Sequence, residues 1–154
     1  MLIIEDEKHT AQNLVNLLAQ VDPQVKVMCI IGTIKDSVSW LNSNEPDLIF
    51  SDIKLPDGDS YEIFEQVNLN VPVISTSALG RRDIRLSRMN AIYHLPKPID
   101  KQDLAKGLNK YKEYRRSSEG VKEGTTSLKG HDFTGTSSKK GFLSRISKKI
   151  RKQE

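Results

Sequence analysis

Five polar residues stand where short apolar runs stop: Glu5 and Asp6 after LII, Asp52 after LIFS, Ser77 after VIST, and Lys97 after AIYHLP. If those runs are parallel strands, all five residues fall on the edge where the strands end, which is where ligands bind in such sheets. Three carboxylates gathered there repel one another unless a divalent cation bridges them. An oxygen-only donor set with room for water suits Mg²⁺ or Mn²⁺. A lysine and a hydroxyl beside that ion complete a holder for a phosphoryl group, in which ion and ammonium neutralise the oxygens while a carboxylate attacks phosphorus. Each residue also has a plainer use. Asp52 alone would suit a turn after a strand, Glu5 and Asp6 would suit the start of a helix near Lys8, Ser77 a surface loop and Lys97 a solvated position before a turn. The agreement of separate positions favours the phosphoryl reading. Asp57, Gly58 and Asp59 read as turn formers rather than ligands.

The elements that must position these residues alternate from the start of the chain. LIIE reads as a strand, and Ala11, Leu14, Val15 and Leu18 then recur at helical spacing. VKVMCIIG is a second strand, Ile34, Val38 and Leu41 mark a second helix, DLIFS is a third strand, and Tyr61, Phe64 and Val67 mark a short helix. VPVIST is a fourth strand, residues 81 to 90 a polar, arginine-rich helix, and AIYHL a fifth strand. Leu104, Leu108 and Tyr111 stripe a last helix, with Asp100 at its N-cap. Five strand–helix units with continuous apolar strands predict an α/β fold: a doubly wound, five-stranded parallel sheet covered on both faces.

A length of 154 residues suits one domain with an appendage. No apolar run approaches the roughly 18 residues that a membrane span requires, and the chain opens on a strand-like MLIIE without a signal-peptide pattern. A soluble, cytoplasmic protein with no membrane partner is expected. The single cysteine, Cys29, lies in an apolar run and reads as a small core residue, so no disulfide framework is available within the chain. The net charge of +4 divides unevenly: residues 1–114 carry −3 and residues 115–154 carry +7. Beyond Tyr114 the chain is rich in Ser, Thr, Gly and Lys and reads as a flexible linker over 115–138, followed by a basic segment over 139–154.

The motifs IIEDE, DLIFSDIKLPDG, PVISTSA and LPKPID together resemble the receiver domain of two-component response regulators, over residues 1–114. That resemblance implies a flavodoxin-like sheet in the order 2-1-3-4-5, with Asp52 as the phosphoacceptor. It further implies that Glu5, Asp6 and Asp52 hold Mg²⁺ together with the backbone carbonyl of Lys54. Ser77 would be the switch hydroxyl and Lys97 the phosphate-binding lysine, with a cis Lys97–Pro98 bond. The implied partner is a sensor histidine kinase, and the only chemistry is self-catalysed phosphorylation of Asp52 and its hydrolysis. An aspartate-nucleophile phosphatase of the haloacid dehalogenase type would need a second aspartate two residues after Asp52, where Lys54 stands.

More narrowly, PDGDSYEIFEQV, PVISTSA and NAIYHLPKPID resemble receivers of the LytR/AlgR class, and KKGFLSRISKKIRK is similar to the opening strands of their LytTR DNA-binding domain. A truncated LytTR domain at 139–154 is therefore expected, with DNA contacted only through a complete one. The tail also admits plain disorder, or a basic helix with Phe142, Leu143, Ile146 and Ile150 on one side. A stand-alone receiver acting in relay or protein docking is the alternative to a transcription regulator. Arg81, Arg82, Arg85 and Arg88 form either a solvated face or a surface for a partner or receiver homodimer. Three positions depart from the family pattern: His94 replaces the usual tyrosine or other aromatic, Pro96 precedes Lys97, and Leu79 follows the switch region.

Overall fold

Burial along whole strands organises the molecule, as a parallel sheet covered on both faces demands. The computed structural model describes residues 1–78 and 88–123. Its elements are β1 (Leu2–Ile4), α1 (Lys8–Val21), β2 (Cys29–Ile31), α2 (Ile34–Leu41), β3 (Ile49–Asp52), β4 (Lys54–Leu55) and β5 (Gly58–Asp59). They continue with α3 (Tyr61–Gln66), β6 (Val73–Ser77), β7 (Ala91–Pro96) and α4 (Lys101–Glu123). Every residue of β1, β3 and β6 is buried. The main sheet is parallel in the order β2-β1-β3-β6-β7, while β4 and β5 form a separate antiparallel hairpin. With the hairpin set aside this is the expected 2-1-3-4-5 order.

Alternation along the strands divides the core in two. Leu2, Ile4, Ile49 and Val73 point to one face and pack with Ile34, Leu41 and Ile63 of α2 and α3. Ile3, Phe50, Ile74 and Leu95 point to the other and pack with Leu14 and Leu18 of α1 and Leu104 and Leu108 of α4. The strand order reverses between β1 and β3, and the crevice above their carboxyl ends is where the fold leaves room for a ligand.

Three expectations change in the structure. The run VKVMCIIG forms a ladder strand only over Cys29–Ile31, although backbone bonds continue before it, from Met28 N to the Met1 carbonyl at 2.8 Å and from the Met1 amine to the Lys26 carbonyl at 2.7 Å; β2 is an edge strand, and Met28 and Ile30 are 56% and 43% exposed. Cys29 accordingly sits half-buried at the margin of the first core cluster rather than inside it. The last helix does not give way to linker at residue 115 but continues through Glu123. Its exposed extension rests on local bonds: Arg115 Nη2 pairs with Glu119 Oε1 at 2.8 Å, and Ser118 Oγ donates back to the Tyr114 carbonyl at 2.8 Å. Asp100 caps this helix as expected, its Oδ1 accepting from Gln102 N at 2.7 Å and Asp103 N at 2.9 Å. The basic tail from 124 onward, Leu79, Arg81, Arg82 and Arg85 lie outside the described residues. Of the arginine-rich stretch, Arg88 pairs with Glu65 at 3.1 Å, and Asn90 closes the turn into β7 at φ 51°.

Leu104 ties α4 to the sheet and has no exposed surface. Truncation of Leu104 to alanine is expected to cost roughly 2–5 kcal/mol, read as a lower urea midpoint at unchanged slope.

Candidate functional site

Main-chain bonds at the carboxyl edge deliver the site residues. Glu5 N donates to the Ile31 carbonyl at 2.8 Å, carrying β1 one residue past its last ladder pair. Asp52 ends β3 in register with Thr76, and the next residue, Ile53, donates to the Thr76 carbonyl at 3.0 Å. Lys97 N donates to the Ser77 carbonyl at 2.8 Å, so the hydroxyl-bearing and ammonium-bearing residues are tied through the backbone. The Lys97–Pro98 peptide is cis.

The side chains then meet. Lys97 Nζ donates to Glu5 Oε2 at 2.6 Å and also to Asp52 Oδ2. The other oxygen of each acid has a backbone donor: Lys54 N to Asp52 Oδ1 at 3.3 Å, and Glu7 N to Glu5 Oε1 at 3.2 Å. Glu5, Asp52 and Ser77 are buried. Asp6 is exposed, yet one oxygen each from Glu5, Asp6 and Asp52 lie within 4.8 Å of one another. Burial pushes the Glu5 carboxyl above its ordinary range, against the pull of Lys97. For Lys97 burial pushes down, but its bonds to Asp52 and Glu5 outweigh it and the ammonium ends above its usual value.

Three carboxylates facing one ammonium leave uncompensated negative charge in a cleft of oxygen donors. That donor set fits a hard divalent cation such as Mg²⁺. The structure thus brings Glu5, Asp6, Asp52, Ser77 and Lys97 to one edge. Lys54 lies on β4 directly beyond Asp52, and its ammonium pairs away from the cluster with Asp59.

His94 is placed apart from the acids. It stands opposite Ser75 in the β6–β7 ladder, with Nδ1 3.0 Å from Ser75 Oγ, and Nε2 is buried without a hydrogen-bond partner among the described residues. Burial lowers its pKa from the usual 6.5, which keeps the ring neutral at physiological pH.

Sequence reasoning missed the role of Asp57. Its two carboxylate oxygens accept from Ile34 N at 2.9 Å and Lys35 N at 3.2 Å, closing the start of a helix that precedes it in the chain by more than 20 residues. These bonds hold its carboxyl below the usual carboxylate range, the bond from Ile34 N most of all. No local pattern signals such a cap, because α2 already carries its own: Thr33 Oγ1 accepts from Asp36 N at 3.1 Å.

The chain belongs to the response regulator receiver domain family, which it matches over residues 1–109. It is similar to the sensory transduction protein LytT of Bacillus anthracis, 25% identical over 137 residues, covering 87% of this chain and 54% of that protein. It is similar also to the cyclic di-GMP phosphodiesterase response regulator RpfG of Xanthomonas campestris, 26% identical over 135 residues, covering 83% of this chain and 35% of that protein. Among solved structures it resembles the N-terminal domain of a response regulator/sensory box/GGDEF three-domain protein from Carboxydothermus hydrogenoformans. The TM-score is 0.64 at 22% identity, over 76% of this chain and 97% of that one. The chain spans about half, or less, of the length of these two sequence relatives. It is a receiver domain of the two-component response regulators, and no described helix is long and apolar enough to cross a membrane.

A titration follows from Lys97. Its folded-state pKa is raised, so its contribution to stability is fully present below its ordinary 10.5 and is lost as pH rises through the higher folded value. In EDTA, wild-type stability is expected to fall across that alkaline window by more than Lys97→Met, measured as urea midpoints. Parallel curves for the two proteins would contradict the pairing.

Proposed function

We propose that the domain is a phosphorylation-controlled switch in which Asp52 accepts a phosphoryl group from the phosphohistidine of a sensor kinase. One carboxylate oxygen of Asp52 attacks phosphorus, the P–N bond breaks with its electron pair returning to the imidazole, and an acyl phosphate forms. Glu5, Asp6, Asp52 and the backbone carbonyl of Lys54 would hold Mg²⁺, which when bound neutralises phosphoryl oxygens. Lys97 already donates to Asp52, and in this reading its ammonium turns to the new phosphoryl oxygens as Asp52 gives up its charge. The Ser77 hydroxyl bonds the same group, and the equilibrium between two receiver conformations shifts with it. The observation that carries the reading is the meeting of Glu5, Asp6, Asp52 and Lys97 in one cleft at the switch point of the sheet.

The larger protein, in this reading, is a cytoplasmic transcription regulator that contacts DNA through a complete LytTR domain. The receiver occupies residues 1–114, with α4 projecting past it, 124–138 connect, and 139–154 begin the output domain. The similarity of the basic segment to the start of such a domain supports this, as does the match to LytT. The name of the second relative attaches a phosphodiesterase to a receiver of the same family, so the output rests on the segment after the receiver and not on the receiver itself.

Incubation with acetyl phosphate and Mg²⁺ is expected to add one phosphoryl mass to the wild type and none to Asp52→Asn. Mg²⁺ alone is expected to raise the melting temperature, a rise that largely disappears in Asp6→Asn. Phosphorylation of Asp52→Asn, or an undiminished Mg²⁺ response in Asp6→Asn, would place the chemistry or the ion elsewhere.

A further inference from the structure

The segment that follows Asp52 is a hairpin of only two residue pairs, Lys54 with Asp59 and Leu55 with Gly58. So short a hairpin does not hold its shape unaided. At its open end Lys54 N bonds the Asp52 carboxylate, the Lys54 ammonium pairs with Asp59, and Ser60 N donates to the Ile53 carbonyl at 3.0 Å. Its tip lies on α2. Asp57 accepts from both Ile34 N and Lys35 N, and Gly58, at φ 145°, comes so close that a Cβ there would stand 3.0 Å from Ile34 Cδ1.

The other side of the same helix start touches the acidic cleft. Gly32 lies against Asp6, where a Cβ would be 3.1 Å from the Asp6 Cα. The turn from Gly32 to Lys35 is therefore wedged between the loop that carries Asp6 and the hairpin that carries Lys54. The Asp57 side chain bonds two amides of that wedge, those of Ile34 and Lys35.

We propose that Asp57 is a positioning residue for the metal and phosphoryl site: by clamping the hairpin to the start of α2 it fixes the distance between Asp6 and the Lys54 carbonyl. The proposal rests on the reading of Glu5, Asp6, Asp52 and Lys54 as the Mg²⁺ ligands. Asp57 touches neither ion nor phosphoryl group; it acts through the backbone of residues 53–59. A loose hairpin leaves the side-chain ligands in place and lets the carbonyl ligand drift, which weakens Mg²⁺ binding without abolishing the chemistry at Asp52.

The test compares wild type, Asp57→Ala, Asp57→Asn and Thr33→Ala by melting temperature against Mg²⁺ concentration, and by phosphorylation from acetyl phosphate at limiting and saturating Mg²⁺. Thr33→Ala is the control, since it removes a cap of the same helix without touching the hairpin. Asp57→Ala is expected to raise the half-saturating Mg²⁺ concentration about tenfold, in line with the loss of groups that orient metal ligands. Its phosphorylation slows at limiting Mg²⁺ and returns towards the wild-type rate at saturation. Asp57→Asn, which keeps one acceptor oxygen, falls between, and it carries the comparison if Asp57→Ala melts below the assay temperature. Thr33→Ala lowers the Mg²⁺-free melting temperature but keeps the wild-type half-saturation. An unchanged half-saturation in the Asp57 variants, or an equal shift in Thr33→Ala, overturns the proposal. A wild type with no Mg²⁺ response overturns the functional reading on which it stands.

Discussion

The Lys97 ammonium held between Glu5 and Asp52 is the interaction on which the site depends. Removing either acid's partner would leave a buried carboxylate without compensation, which costs far more than the pair contributes. The balance is incomplete by design of the cluster, because Asp6 adds a third carboxylate to the same cleft. A site with a fixed cation and a surplus of negative charge favours a divalent ion. In the proposed switch, the lysine that pairs with the resting acids follows the charge to phosphorus.

The sheet makes this arrangement cheap to hold. β3 and β6 are buried on both faces, and their ladder places Asp52 opposite Thr76 with no freedom to slip, since a shift of one residue would turn Phe50 and Ile74 out of their core cluster. The reversal of strand order beside β1 leaves the space above Glu5 and Asp52 uncovered by a crossover helix. Rigidity below and openness above come from one topology.

Much of this was legible in the sequence because it is written in local patterns. Short apolar runs ending in acidic, hydroxyl or lysine residues gave the strand ends, and hence the edge on which Glu5, Asp52, Ser77 and Lys97 meet. Asp100 was legible as a cap because its partners lie two and three residues away. The contacts of Asp57 were not, since its partners belong to an earlier helix and only the fold brings them together. The extent of β2 was overread because an apolar run does not reveal that it will lie at an edge. The helix beyond Tyr114 was underread because its extension is sustained by polar pairs, which leave no apolar stripe. The pairing of His94 with Ser75 depends on the register of β6 against β7, which shifts between Val73 and Ile74 and so escapes any count along the sequence.

In the proposed switch Asp52, and no neighbouring acid, carries the phosphoryl group. Borohydride reduction of the chain after treatment with phosphodonor and Mg²⁺, followed by peptide mass spectrometry, reads this directly, because an aspartyl phosphate is reduced to homoserine. Homoserine is expected at position 52 alone, and only when both phosphodonor and Mg²⁺ were present. Homoserine at position 6, 57 or 59, or none at position 52 in a chain that had gained a phosphoryl mass, would contradict it.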